Sequence, residues 1–183
     1  MKEMADVAGT SEAKAAEEVT ITDEFRKTFV IEKTDDEGRR GCFLFSLLVM
    51  ASYVVLADGK TEESEYQYVS QFLSDNFGPE GQQEGMSVLH KLIEKHSELA
   101  ATRPMAFLQL IGKCGAEMKA VLSPELRYQL LSMLAMISKS DHDIADKEVE
   151  ALKDVATYIG LKSSDVDALL SLDPDEAKKD WTL

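Results

Sequence analysis

The chain has 183 residues, with 34 Asp and Glu against 20 Lys and Arg, and a formal charge of −14. Its length suits one domain with a real core, and a hydrophobic fraction of 44% excludes global disorder. The charge argues against a sequence-independent nucleic-acid binder, which needs clustered Lys and Arg, and against docking on anionic lipid. Two cysteines, Cys42 and Cys114, give neither a disulfide framework nor a CxxC metal pair.

Residues 1–22 are rich in Ala, Glu and Thr and carry no apolar run, so they are expected to form a flexible acidic arm. They contain no hydrophobic signal core and no cleavage pattern, which predicts a cytoplasmic location. Residues 23–183 are then expected to form a single helical domain. Residues 41–57 are 17 positions without a charge, bracketed by Arg40 and Asp58. That is short of the roughly 20 apolar residues a bilayer requires, and Ser46, Ser52 and Tyr53 lower its hydrophobicity further. The expectation is a central helix over 38–57, apolar on most sides, and no membrane span. Oligomeric state is open: this helix is either the contact of a homodimer or entirely internal.

A second helix is expected over 62–77, with Thr61 as N-cap and Glu62 and Glu63 at the positive end of the dipole. Phe77-Gly78 closes it, and Pro79, Gly81 and Gly85 are expected to loosen the chain. Helical spacing returns through Met86, Leu89 and Leu92 to about His96. His90 and His96 stand six apart, off the metal-ligand spacing of i, i+4, and are expected in solvent beside Lys91 and Lys95. Pro104 opens a helix through Met118, and Ser123-Pro124-Glu125 combines an N-cap hydroxyl, a first-turn proline and a carboxylate. Further helices are expected over 146–159 and 164–171, with a short one after Asp173-Pro174. Strand signals are confined to 19–21 and 29–31, so the fold class is all-α with about seven helices.

The chain repeats itself. Residues 45–65 and 128–148 align at a constant offset of 83, pairing Leu47 with Leu130, Leu48 with Leu131 and Met50 with Met133. The same offset pairs Asp58 with Asp141 and Glu65 with Glu148. Each half reads as an apolar helix, an Asp, six residues, and a Glu opening the next helix, which predicts two pseudo-symmetric helical-hairpin bundles.

Both acidic turns admit two readings. Carboxylates at a helix N-terminus stabilise it by about 0.3–1 kcal/mol, and Asp-Gly is ordinary turn chemistry. Alternatively, Asp58, Glu65, Asp141 and Glu148 converge and offer oxygen ligands to a divalent cation, calcium or magnesium. The second turn has Asp141 and Asp143 but lacks the glycine and distal glutamate of an EF-hand. His142 lies among these carboxylates, which favour its charged form. Cys42 and Cys114 lie in apolar runs and are expected to be buried thiols, and Met50, Met133 and Met136 core fillers. No GxSxG, P-loop or GxGxxG occurs, so an enzyme is not expected.

The stretch Leu47-Leu48-Val49-Met50-Ala51, Ala57-Asp58-Gly59-Lys60 and Glu65, with Leu130-Leu131, Ala135-Met136-Ile137-Ser138, Ser140-Asp141, Glu148 and Ile159-Gly160-Leu161, resembles the TerB family. That family includes the tellurite-resistance protein TerB and the N-terminal cytosolic domain of the DjlA co-chaperones. The similarity covers roughly residues 38–172. It implies an all-helical domain of two related bundles, a setting in envelope or chemical stress, and an acidic surface proposed in the family as a metal site. Asp58, Glu65, Asp141 and Glu148 occupy the motif positions, although His142 stands where the first turn has Gly59. No His-Pro-Asp tripeptide occurs, so stimulation of an Hsp70 through a J-domain is not expected, nor is the membrane anchor of DjlA. The expected function is a non-enzymatic module that takes a divalent cation or a protein partner at its acidic turns. The alternative is a structural interaction or oligomerisation domain without metal.

Overall fold

The structure is a computed structural model that describes residues 36–140 and 143–172; for 36–43 and 46 it describes the backbone alone. The chain divides into two units, Met1–Phe45 and Ser46–Leu183. The described residues of the first, 36–45, begin helix α1; the packing below belongs to the second. The expected arm over 1–22, the weak strand signals, Asp141, His142 and the short helix after Asp173 lie outside the described residues, as does the side chain of Cys42.

Among the described residues six helices follow one another: α1 (Asp36–Val55), α2 (Glu63–Thr102), α3 (Pro104–Val121), α4 (Pro124–Ser138), α5 (Asp146–Tyr158) and α6 (Ser163–Ser171). There is no strand among the described residues, so the fold is all-α. The repeat is metric as well as chemical. Helix α1 ends at Val55 and α4 at Ser138, α2 begins at Glu63 and α5 at Asp146, and both pairs stand 83 positions apart. Residues 47–55 of α1 and 130–138 of α4 are buried without interruption, as expected of helices surrounded by others. Met50, Met133 and Met136 are core residues, and Cys114 is a buried thiol. No described helix is long and apolar enough to cross a membrane.

Residues 79–85 differ from expectation. Helix α2 does not loosen there; it bends at Gly78, whose φ of 73° and ψ of −177° interrupt the helix for one residue. Pro79 then restarts it, because a proline in a first turn gives up no hydrogen bond. Counting the arms 63–77 and 79–102 apart gives seven straight segments among the described residues. The arms fold back on each other: Gln82 Nε2 donates to Ser70 Oγ at 2.8 Å, and Tyr66 stacks on His90 at 5.1 Å. The missing side chain at Gly85 makes the approach possible, since a Cβ there would lie 2.7 Å from Leu73 Cδ1. Helix α2 begins one residue later than expected, and its opening is closed by Glu65 instead of Thr61.

His96 also departs from expectation. It is 4% exposed, its Nδ1 lies 2.6 Å from Ser52 Oγ, and its ring packs on Phe107. Ser52 Oγ donates its proton to the Val49 carbonyl at 2.7 Å, so the imidazole Nδ1–H donates to Ser52. The pair pins α1 to the second arm of α2. Beside it, Tyr53 donates to Asp154 Oδ2 at 3.0 Å and meets Phe107 edge-on, joining α1 to α5 and α3. Burial, reinforced by Asp154, pushes the Tyr53 phenol far above its ordinary pKa.

Helix ends are closed by a few specific devices. At the end of α5, Leu161 N–H bonds the Ala156 carbonyl and Gly160 N–H the Thr157 carbonyl, with Gly160 at φ 77°. This is a Schellman closure, as Ile159-Gly160 led one to expect. Arg127 Nη1 adds a bond to the Ile159 carbonyl at 2.8 Å. Ser123 Oγ accepts from Leu126 N–H at the start of α4, and Lys139 Nζ donates to the Leu170 carbonyl at 3.0 Å at the end of α6.

Two outcomes follow from this packing. A Cβ at Gly115 would lie 2.4 Å from Tyr158 Cβ and 3.1 Å from its backbone carbon, whereas one at Gly112 would meet Tyr158 at an ordinary 3.5 Å. Alanine favours a helix over glycine by about 1 kcal/mol, and overpacking against backbone costs about 1–3 kcal/mol. Urea melts should therefore show Gly115→Ala destabilised and Gly112→Ala unchanged or stabilised. The second outcome concerns acid. Burial lowers the pKa of His96 from 6.5 to about 4, favouring the neutral ring in the fold. That contribution is complete above pH 6.5 and is lost as pH falls towards 4, amounting to about 3 kcal/mol in all. Unfolding free energies of wild type and His96→Gln, measured from pH 7 to 4.5, should converge as the pH falls; parallel profiles would refute the assignment.

Candidate functional site

At the first acidic turn, Asp58 Oδ1 accepts the Lys60 N–H at 2.8 Å, an Asx turn, and Gly59 supplies the positive φ of 77° that follows. Seven residues after Asp58, Glu65 is only 4% exposed, and its Oε2 accepts the Glu62 N–H at 2.9 Å. The second turn places its glutamate identically. Glu148 is 6% exposed, and its Oε2 accepts the Ala145 N–H at 2.8 Å. In return, each glutamate's own N–H reaches the carbonyl of the residue that it closes, at 3.2 and 3.0 Å. The third helix of this kind, α6, opens the same way, with Asp165 Oδ2 on the Lys162 N–H at 2.9 Å.

A carboxylate at the third helical position satisfies a backbone donor that the helix itself leaves unpaired, and it sits at the positive end of the dipole. The repeated interval between Asp and Glu thus has a local cause: the first residue shapes the turn, and the second closes the helix one turn in. Of the four motif positions, Asp58, Glu65 and Glu148 are described, and Asp141 is not. Among the described residues, no three His, Cys, Asp or Glu side chains gather so as to hold a metal ion. The donor type is right for a hard cation, while one oxygen each of Glu65 and Glu148 is held by a backbone N–H.

Two features were missed in the sequence. The Ser52–His96 pair is one, and its signal was available: Gly85, Val88, Leu89 and Leu92 form a buried helical stripe on which His96 is the next position. The pair has the elements of a nucleophile and a base, yet Ser52 is fully buried and its proton points at Val49. The other is a groove of about 590 Å³ between the arms of α2. Glu63, Tyr66, Gln67 and Gln71 line it from the first arm and Met86 and His90 from the second, with Tyr66 stacked on His90. Nothing in the sequence announced it, because it exists only once the arms fold about Gly78.

No curated protein and no solved structure matches this chain. The family model described as tellurite resistance protein TerB matches residues 45–171, more than half of the chain, and spans both copies of the hairpin. From those two hairpins and that match, the chain belongs to the TerB family.

Proposed function

We propose that this TerB-family chain is a non-enzymatic, cytoplasmic module of a chemical-stress response that takes a divalent cation, calcium or magnesium, at its acidic turns. The observation that carries this reading is the coincidence of the repeat with the turns: both connections run from the end of a buried helix to a buried glutamate over the same interval. Asp58 is part-exposed at the first connection, with Glu62 and Glu63 exposed beside it, and Asp143 and Asp146 are exposed at the second. Such carboxylates supply the hard oxygen donors that these cations require.

A second reading, a metal-free scaffold for a protein partner, has its own support. One oxygen of Glu65 and one of Glu148 are committed to backbone N–H groups. Met105, 68% exposed, and Leu108 one turn further along α3 are large apolar side chains left uncovered.

Calorimetric titration with calcium and magnesium distinguishes the two. Binding heat in the wild type that disappears in Asp58→Asn/Asp141→Asn supports the cation; no heat, or heat unchanged in the double variant, removes it. The capping role makes a separate prediction. Glu65→Ala and Glu148→Ala should each lose about 1–2 kcal/mol of stability in urea melts without added metal, and the glutamine variants, which keep an acceptor, should lose less. Equal losses for alanine and glutamine would show that charge, rather than the hydrogen bond, is what these positions require.

A further inference from the structure

The bend in α2 is made by residues that each suit it and each resist its removal. Gly78 stands at φ 73° and ψ −177°, a region that glycine alone enters readily. Pro79 opens the second arm as its first residue. Inside a continuous helix it would lack the N–H that bonds the Asp75 carbonyl, and its ring would strike that carbonyl. It also turns Gly78 away from helical dihedrals. At Gly81, a Cβ would lie 2.4 Å from Phe77 Cβ. In a straight helix two such positions, four apart, stand about 5–6 Å from each other. Helix runs up to Phe77 and on from Pro79, with no loop between the arms. Removal of the bend would therefore leave one rod of 40 residues, about 60 Å long.

Such a rod is not stable within one chain. It would part Leu73 from Gly85, Ser70 from Gln82 and Tyr66 from His90, and it would uncover Leu73, which is 0% exposed. A second copy straightened in the same way restores every one of these contacts, because its second arm carries the residues that the first arm has lost. We infer that residues 78–81 are a lock against exchange between two copies of this chain. They hold α2 folded on itself, and without them two copies trade the chain that precedes the bend and form a dimer with the same contacts between the arms. The inference goes beyond the reading of the acidic turns and requires no cation there.

Light scattering of the full chain, refolded from urea at low and high concentration, tests the lock. The wild type should stay monomeric, whereas Gly81→Ala and Gly78→Ala/Pro79→Ala should double in mass and keep their helicity. Pro79→Ala alone removes only the obstacle to a straight helix and leaves the bend its glycines. It folds whether or not the other two variants do, and its dimer fraction should exceed that of the wild type several-fold. A cysteine on each arm separates exchange from association at the surface. With Ser70→Cys/Gln82→Cys, positions whose side chains touch, a short bis-maleimide should bridge the arms of one chain in the wild type and of two chains in the dimers. Chains without the added pair control for Cys42 and Cys114. The inference is overturned by a wild type already bridged between chains, by Gly81→Ala folding as a monomer, or by Pro79→Ala being no more dimeric than the wild type. Dimers bridged only within each chain would overturn it as well.

Discussion

A helix buried on every side leaves its successor little choice of where to begin. Helices α1 and α4 are enclosed over 47–55 and 130–138, so the chain must leave the core, turn, and start a new helix close to the same interior. The first N–H groups of that new helix are partly shielded from water and need acceptors from the protein. Glu65 and Glu148 each supply one from within, reaching back three residues to the N–H of the residue just before the helix. The acidic motif and the hydrophobic motif are therefore one device: apolar residues fix where the first helix ends, and the glutamate fixes where the second starts.

The remaining polar contacts of the interior tie the helices to one another. Ser52 and His96 join α1 to the far arm of α2, Tyr53 and Asp154 join α1 to α5, and Arg127 and Lys139 carry α4 to the ends of α5 and α6. Each reaches a group that packing would otherwise leave unsatisfied, and a buried pair of this kind loses most when one partner alone is removed. The close approach of α3 and α5 at Gly115 is set differently, by the lack of a side chain.

Much of this architecture was legible in the sequence. The uncharged run before Asp58, its second copy before Asp141, and the punctuation at Ser123-Pro124 and Ile159-Gly160 all mark real boundaries, because burial period and cap chemistry are local. Thr61 misled because a carboxylate three positions inside the helix can close it without help from the N-cap side chain. Pro79, Gly81 and Gly85 misled in another way. Their composition is that of a loop, and only the fold of one arm on the other shows that the small residues serve close packing. Lys95, its neighbour along the chain, suggests solvent for His96, but its neighbours along the helix are the buried Leu92 and Leu89. The candidate site is legible as chemistry and not as geometry: Glu65 and Glu148 are carboxylates that open α2 and α5, while the groove depends on a bend that sequence spacing does not encode.

The bend itself constrains how such a chain can change. The two arms of α2 are joined through one residue with no spare length, so an insertion or deletion at Gly78 would shift every pairing between the arms, from Ser70 and Gln82 out to Tyr66 and His90. The connection from Val55 to Glu63 is longer and largely exposed, and it can absorb a change of length without moving either helix. Drift among descendants should accordingly lengthen or shorten the acidic turn while keeping the hairpin of α2 at fixed size.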